Sequence, residues 1–158
     1  MGAVESTDPS LFSRVGGMPF FERLVDTFYS GVADDEVLLP LYPEAPDLTG
    51  ARRRLTLFLA QYWGGPHTYD DERGHPRLRM RHLRFAIGVA ERDRWLANME
   101  TAVTAVCADL DTGESGDAGD ASAARRVHDE LMGYFVTTAE HLRNDTGLPI
   151  TSASFGNR

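Results

Sequence analysis

Residues 61–82, QYWGGPHTYDDERGHPRLRMRH, decide the reading of this chain. A helix arrives through Gln61-Tyr62-Trp63 and stops at Gly64-Gly65-Pro66, because glycine suits a left-handed cap and proline cannot continue the ladder. Residues 67–75 are polar and read as a loop. Pro76 then opens a helix of about two turns in which Leu78 and His82 share a face at i, i+4. A lone histidine so placed suits a bound group held over one protein ligand. A satisfied core histidine has the same spacing, so geometry along the chain leaves both readings open.

Upstream of this stretch, the helix that ends at Trp63 begins near Thr49. Leu55, Phe58, Leu59 and Tyr62 form its inward face, and Arg52, Arg53 and Arg54 point mainly outward. Asp8-Pro9 pairs an N-cap with a proline at the first helical position, predicting a short helix through Val15 that Gly16-Gly17 ends. Pro19 reopens a helix whose apolar residues fall at Phe20/Phe21, Leu24/Val25, Phe28/Tyr29 and Val32, a 3.6-residue period. Asp34-Asp35-Glu36 closes it, and Leu38 to Pro46 forms a proline-punctuated corner.

Downstream, a long helix over roughly 90–107 turns Trp95/Leu96, Met99, Val103 and Val106 inward. A last helix over about 121–143 does the same with Val127, Leu131, Tyr134/Phe135, Thr138/Ala139 and Leu142. No segment of useful length alternates with a strand's period, and nothing repeats. The expectation is a single all-α domain over 1–158, with residues 1–10 as an N-terminal extension, 108–120 as an acidic loop and 148–158 as a loose tail.

Composition narrows the function classes. The 158 residues suffice for an ordinary core without disulfides, and Cys107 is alone, which favours a reducing, cytoplasmic location. The net charge of −8 argues against nucleic acid and anionic membranes as partners. Residues 108–120 (ADLDTGESGDAGD) carry five acids and no base, a solvated loop rather than a metal site. No stretch approaches the roughly 18 apolar residues of a membrane span, and MGAVESTDPS lacks the basic start and apolar run of a leader. Gly2 with Ser6 spells a myristoylation pattern that Glu5 and Asp8 oppose, and Asn144-Asp145-Thr146 is a glycosylation sequon by spelling alone.

None of the five histidines (His67, His75, His82, His128, His141) is paired as HxxxH or HExxH, so no zinc site is spelled. His82 stands out because Phe85 and Ile87 follow it.

The motifs taken together resemble one family. From about Leu11 to Val106 the chain is similar to the truncated haemoglobins, specifically their second group. The resemblance rests on Val15-Gly16-Gly17, Phe28-Tyr29, Tyr42-Pro43-Glu44, the run Phe58 to Pro66, Gly74-His75-Pro76 through His82, and Glu91-Arg92-Asp93-Arg94-Trp95-Leu96, in the family's order. It implies a globin-like two-over-two helical sandwich around haem b (iron protoporphyrin IX). His82 then corresponds to the proximal iron ligand, and Tyr29, Tyr42 and Trp95 to the polar groups of the distal site. Ala51 falls where many globins place a distal histidine, and Leu55 one turn later over the haem face. Arg54 and Arg81, helped by Tyr69 and His75, are candidates for the propionates. Phe28, Phe58, Trp63, Met80 and Phe85 are candidates for the wall. The bland alternative makes the aromatics ordinary core residues with their polar atoms satisfied elsewhere.

The resemblance also implies an iron able to stand five-coordinate, binding dioxygen and other diatomic ligands such as NO and CO. Tyrosine can donate or accept, whereas the indole N–H only donates, so a ring of such donors should slow ligand release. That favours redox use of oxygen, as nitric oxide dioxygenation or peroxide-dependent oxidation, with electrons from a separate reductase. By the same token Trp95→Phe is expected to speed release more than either distal tyrosine change. An oxygen carrier, store or sensor without turnover is the alternative within haem proteins. A haem-free helical interaction domain is the alternative outside them. Oligomeric state, including a homo-oligomer, stays open.

Overall fold

In the computed structural model, residues 9–83, 85–111 and 118–143 are described. The expected extension, the middle of the acidic segment and the tail fall wholly or largely outside them. Among the described residues the chain forms only helices and turns: α1 (Leu11–Arg14), α2 (Met18–Ala33), a 3₁₀ turn (Leu39–Leu41), α3 (Thr49–Tyr62), α4 (Thr68–Arg73), α5 (Leu78–His82), α6 (Val89–Asp111) and α7 (Ala118–Leu142).

The core is built on α2. Its residues Phe20, Phe21, Leu24, Val25, Phe28, Tyr29 and Val32 are all buried, following the 3.6 period of the sequence. Burying a side chain of this size contributes roughly 1.5–3 kcal/mol, so this one face outweighs any helix-propensity effect nearby. Two helix pairs result: α2 lies along α3, α6 along α7, and α2 packs across α6. Met99, Ala102, Val103 and Val106 supply the α6 side, and Val127, Leu131 and Phe135 the α7 side. The crossing is close at Gly31, where a Cβ would lie 2.1 Å from Oδ1 of Asn98.

The two double glycines meet in one joint. Gly16 and Gly17 both have positive φ, which turns the chain from α1 into α2. Gly64, at φ 107°, ends α3, and a Cβ on it would sit 2.5 Å from Cβ of Ser10. A Cβ on Gly65 would sit 2.6 Å from a ring carbon of Phe12. The Phe12 amide donates to the Trp63 carbonyl at 3.0 Å, so α1 itself satisfies an orphan carbonyl at the end of α3.

Four expectations change. Helix α1 starts at Leu11, capped by the Ser10 hydroxyl accepting from the Ser13 amide at 3.2 Å, and Pro9 stays outside it. Residues 68–73 are a helix rather than loop. Asp70 and Asp71 in the first turn and Arg73 in the last suit the helix dipole, and Gly74 at φ 76° stops it. That charge order was readable and was masked by the polarity of the segment. Helix α5 begins at Leu78, after Arg77 in the left-handed region at φ 46°, rather than at Pro76. Finally, Tyr62 is 53% exposed instead of buried.

Asp35 fastens the corner to α6. Its carboxylate accepts from the amides of Val37 and Leu38 at 2.9 and 3.1 Å, from the Arg94 guanidinium at 3.1–3.3 Å, and from Asn98 Nδ2 at 3.2 Å. Desolvation pushes this carboxyl up, but Arg94, the two amides and Asn98 together pull it below the ordinary range. The contribution is therefore present above the unfolded carboxyl pKa and is lost as pH falls through the lower folded value. Asp35→Ala is expected to cost about 1–3 kcal/mol in denaturant unfolding at neutral pH, because two amides and Asn98 lose their acceptor. It should also flatten the acid limb of the stability curve. Equal midpoints for variant and wild type would refute this role.

Candidate functional site

Three polar aromatic residues from three separate segments converge. Tyr29 comes from α2, Tyr42 from the end of the 3₁₀ turn, and Trp95 from the second turn of α6. Ring centroids lie 5.5 Å apart for Tyr29 and Tyr42 and 5.1 Å for Phe28 and Trp95, with Phe28 also edge-on to Tyr29 at 4.9 Å. Tyr42 lies between the other two polar groups, and its phenol is influenced by both the Tyr29 and the Trp95 side chains. Burial, then the neighbouring Tyr42 hydroxyl, push the Tyr29 phenol well above its ordinary value. Burial also raises Tyr42, although the polar side chains of Tyr29 and Trp95 oppose it. Arg52 lies over the Tyr29 ring at 5.9 Å and pairs with Asp26 at 3.2 Å, closing the outer side.

A single imidazole stands on α5. Nδ1 of His82 lies 2.7 Å from the Leu78 carbonyl. A carbonyl only accepts, so Nδ1 carries the proton and the lone pair is on Nε2. Burial, assisted by the Arg81 charge, holds the imidazole below the usual histidine value despite the Leu78 bond. The neutral form is the one able to bind a metal. Phe85 packs against it at 6.2 Å between ring centroids. Arg81 secures the turn that presents this helix: its Nε donates to the Pro76 carbonyl at 2.6 Å and its Nη2 to the Arg73 carbonyl at 3.1 Å.

The bacterial-like globin family matches residues 10–116. Group 2 truncated haemoglobin YjbI of Bacillus subtilis is 38% identical over 130 residues, which cover 82% of this chain and 86% of that protein. The chain belongs to the truncated haemoglobins. The thermostable haemoglobin of the actinobacterium Thermobifida fusca superposes with a TM-score of 0.74 at 44% identity, covering 87% of this chain and 99% of that one. The truncated oxygen-avid haemoglobin of Bacillus subtilis gives 0.70 at 37% identity over 86% and 100%. The two helix pairs are thus the two-on-two globin arrangement, and membership in the family implies haem as cofactor and diatomic gases as ligands.

The residues of this truncated haemoglobin fit such a group. Leu55, Phe58, Trp95, Leu96, His82 and Phe85 are all only half-buried, although they belong to α3, α6, α5 and the segment after α5 around the middle of the fold. Helix α3 packs chiefly on α2 and α4, while α5 packs on α7. A flat apolar ring between α3 and α5 would cover these faces. Phe28 and Ala51 are buried behind them. Tyr69 is buried against Phe58, with ring centroids 5.5 Å apart, and lines a 240 Å³ cavity with Arg53, Arg54, Leu57, Glu72 and Arg73. Glu72 and Arg73 come to this polar mouth on α4, where the polarity of the segment hides the helix, and Arg53 comes from the outward side of α3.

Other candidates are less close. Trp63 packs its ring against Phe21, Tyr62, Tyr134 and Phe135, in the seam between α3 and α7. Met80 is 44% exposed, and His75 is exposed with Nδ1 accepting from the Arg77 amide at 3.1 Å. Arg54 pairs with Glu44 at 3.0 Å.

The raised phenols have a consequence in alkali. A phenol whose folded pKa exceeds its unfolded value of about 10 stabilises the protein fully below that pH and loses the contribution as pH rises toward the folded value. The melting temperature is therefore expected to fall above pH ~10, and the Tyr29→Phe/Tyr42→Phe double variant should flatten that limb. Parallel alkaline limbs for the two proteins would contradict the network.

Proposed function

We propose that this truncated haemoglobin holds haem b through Nε2 of His82, and that Tyr29, Tyr42 and Trp95 receive the diatomic ligand on the opposite side. Haem supplies, when bound, the iron that takes the ligand and exchanges electrons. The use we assign is redox chemistry on dioxygen or peroxide rather than oxygen delivery. In the dioxygenation form, NO, O₂ and one electron combine to nitrate, the electron coming from a separate reductase.

The observation that carries this reading is the convergence of three polar aromatic side chains from three segments: the Tyr29 and Tyr42 rings meet edge to face at 5.5 Å, and Phe28 joins Tyr29 at 4.9 Å to Trp95 at 5.1 Å. Phenol and indole groups can each donate to a ligand that gains negative charge. Donors gathered in a dry site slow ligand escape, which suits reaction more than delivery. The His82 bond to the Leu78 carbonyl supports the other side, since it fixes the tautomer and the ring plane.

Because the indole can only donate whereas a phenol can also accept, Trp95→Phe is expected to raise the oxygen dissociation rate about tenfold to a hundredfold, with smaller rises for Tyr29→Phe and Tyr42→Phe. Stopped-flow release measurements check this. Wild-type release as fast as in an oxygen-delivery globin would sink the reading, and steady NO consumption in the presence of a reductase would separate it from a carrier. Separately, His82→Ala should lose the Soret band of the wild-type protein, and retention of an unchanged spectrum would remove His82 as the ligand.

A further inference from the structure

One aromatic series leads away from the site described above. It begins at Trp95 and ends at the surface. Trp95 contacts Phe135 at 5.7 Å between ring centroids, and Phe135 contacts both Trp63, at 5.8 Å, and Tyr134, at 5.7 Å. Trp63 and Tyr134 are 5.1 Å apart, and each touches Tyr62, at 5.0 and 4.2 Å. Tyr62 is the half-exposed end of this series. With Trp63 and Tyr134 it lines a groove of ≈ 570 Å³ whose rim carries Asp129 and Glu130, and whose floor at Gly133 is open.

Core packing alone accounts for Phe135 and the buried face of Trp63. It does not account for an exposed tyrosine stacked on a second tyrosine at the mouth of a groove. Indole and phenol are the side chains that lose an electron most readily, and phenyl rings between them keep the π contact continuous.

We propose that Trp95, Trp63, Tyr134 and Tyr62 form an electron route from the distal pocket to the surface groove, and that Tyr62 is where a cationic aromatic amine is oxidised. The proposal rests on the peroxide-dependent form of the function above. The oxidant is hydrogen peroxide, which takes two electrons and two protons to give two waters. Electrons leave one at a time through the aromatic series. At Tyr62 each loss of an electron releases the phenolic proton to solvent, which the exposed hydroxyl reaches directly. The donor in the groove then returns one electron, and a proton from water restores the phenol, leaving the donor as its cation radical.

The groove favours that class of donor on two grounds. Three aromatic faces attract a cation. The carboxylates of Asp129 and Glu130 stand at its rim, although Glu130 also pairs with Arg14 at 2.7 Å and Asp129 lies 3.4 Å from the His128 ring. The chain's net charge of −8 works in the same direction.

The test uses haem-loaded protein, hydrogen peroxide, a nitroso spin trap and chlorpromazine, a cationic phenothiazine. Peptide mass spectrometry after trapping is expected to find the adduct on Tyr62, and to lose it in Tyr62→Phe. That variant keeps the ring and its stacking, so its melting temperature should match wild type. Without chlorpromazine its reaction with one equivalent of peroxide should match wild type, while in steady state chlorpromazine oxidation, and the peroxide consumption coupled to it, falls about tenfold or more. Adducts confined to residues other than Tyr62, or chlorpromazine oxidised at the wild-type rate by Tyr62→Phe, would overturn the route while leaving the haem reading intact. A wild-type protein that consumes no peroxide would overturn the route together with the peroxidatic reading on which it rests.

Discussion

A five-residue helix has to hold one imidazole still. Helix nucleation is unfavourable, and segments as short as α5 have almost no stability of their own in water. What fixes it is the set of bonds made around it. Arg81 holds the carbonyls of Pro76 and Arg73 on the approach, the left-handed Arg77 sets the entry angle, and the Leu78 carbonyl holds Nδ1 of His82. A left-handed non-glycine residue costs roughly 1–2 kcal/mol, which two arginine hydrogen bonds to backbone carbonyls are enough to offset. Arg81 therefore belongs to the support of the helix that carries His82, and not simply to a charged surface.

The opposite face depends on long-range packing. Tyr29, Tyr42 and Trp95 come from positions far apart in sequence, and their hydrogen bonds form only if α2, the corner and α6 are held in register. Asp35 does this for the corner and α6, with Asn98 shared between it and the close approach at Gly31. Asn98 Nδ2 also donates to the Arg94 carbonyl, at 3.0 Å, so a side chain at position 31 would displace a group already engaged in the Asp35 cluster. Core packing and site geometry are the same structure here.

Much of this was legible in the sequence, for identifiable reasons. The face of α2, the stop at Gly64-Gly65 and the isolated histidine are local signals, each set by residues within a few positions. The family motifs added the names of the three distal groups. What sequence could not supply was arrangement: nothing in the order of residues says that the Tyr29 and Tyr42 rings meet edge to face, or that Phe28 stands between Tyr29 and Trp95. Helix α4 was missed for another reason, since six polar residues lack the apolar period and only their charge order marks a helix. Spacing places Tyr62 on the inward face of α3, whereas its ring turns to the surface against Trp63 and Tyr134 while Leu59 and Ala60 beside it stay in the core.

The joint between α1 and the end of α3 makes the start of the globular chain a handle on α3. The Phe12 amide grips the Trp63 carbonyl, and Ser10 and Phe12 fill the space beside Gly64 and Gly65. A shift of Ser10 or Phe12 is therefore felt first at the end of α3, the same helix that carries Leu55 and Phe58. The turn that begins the globular chain thereby sets where that helix stops.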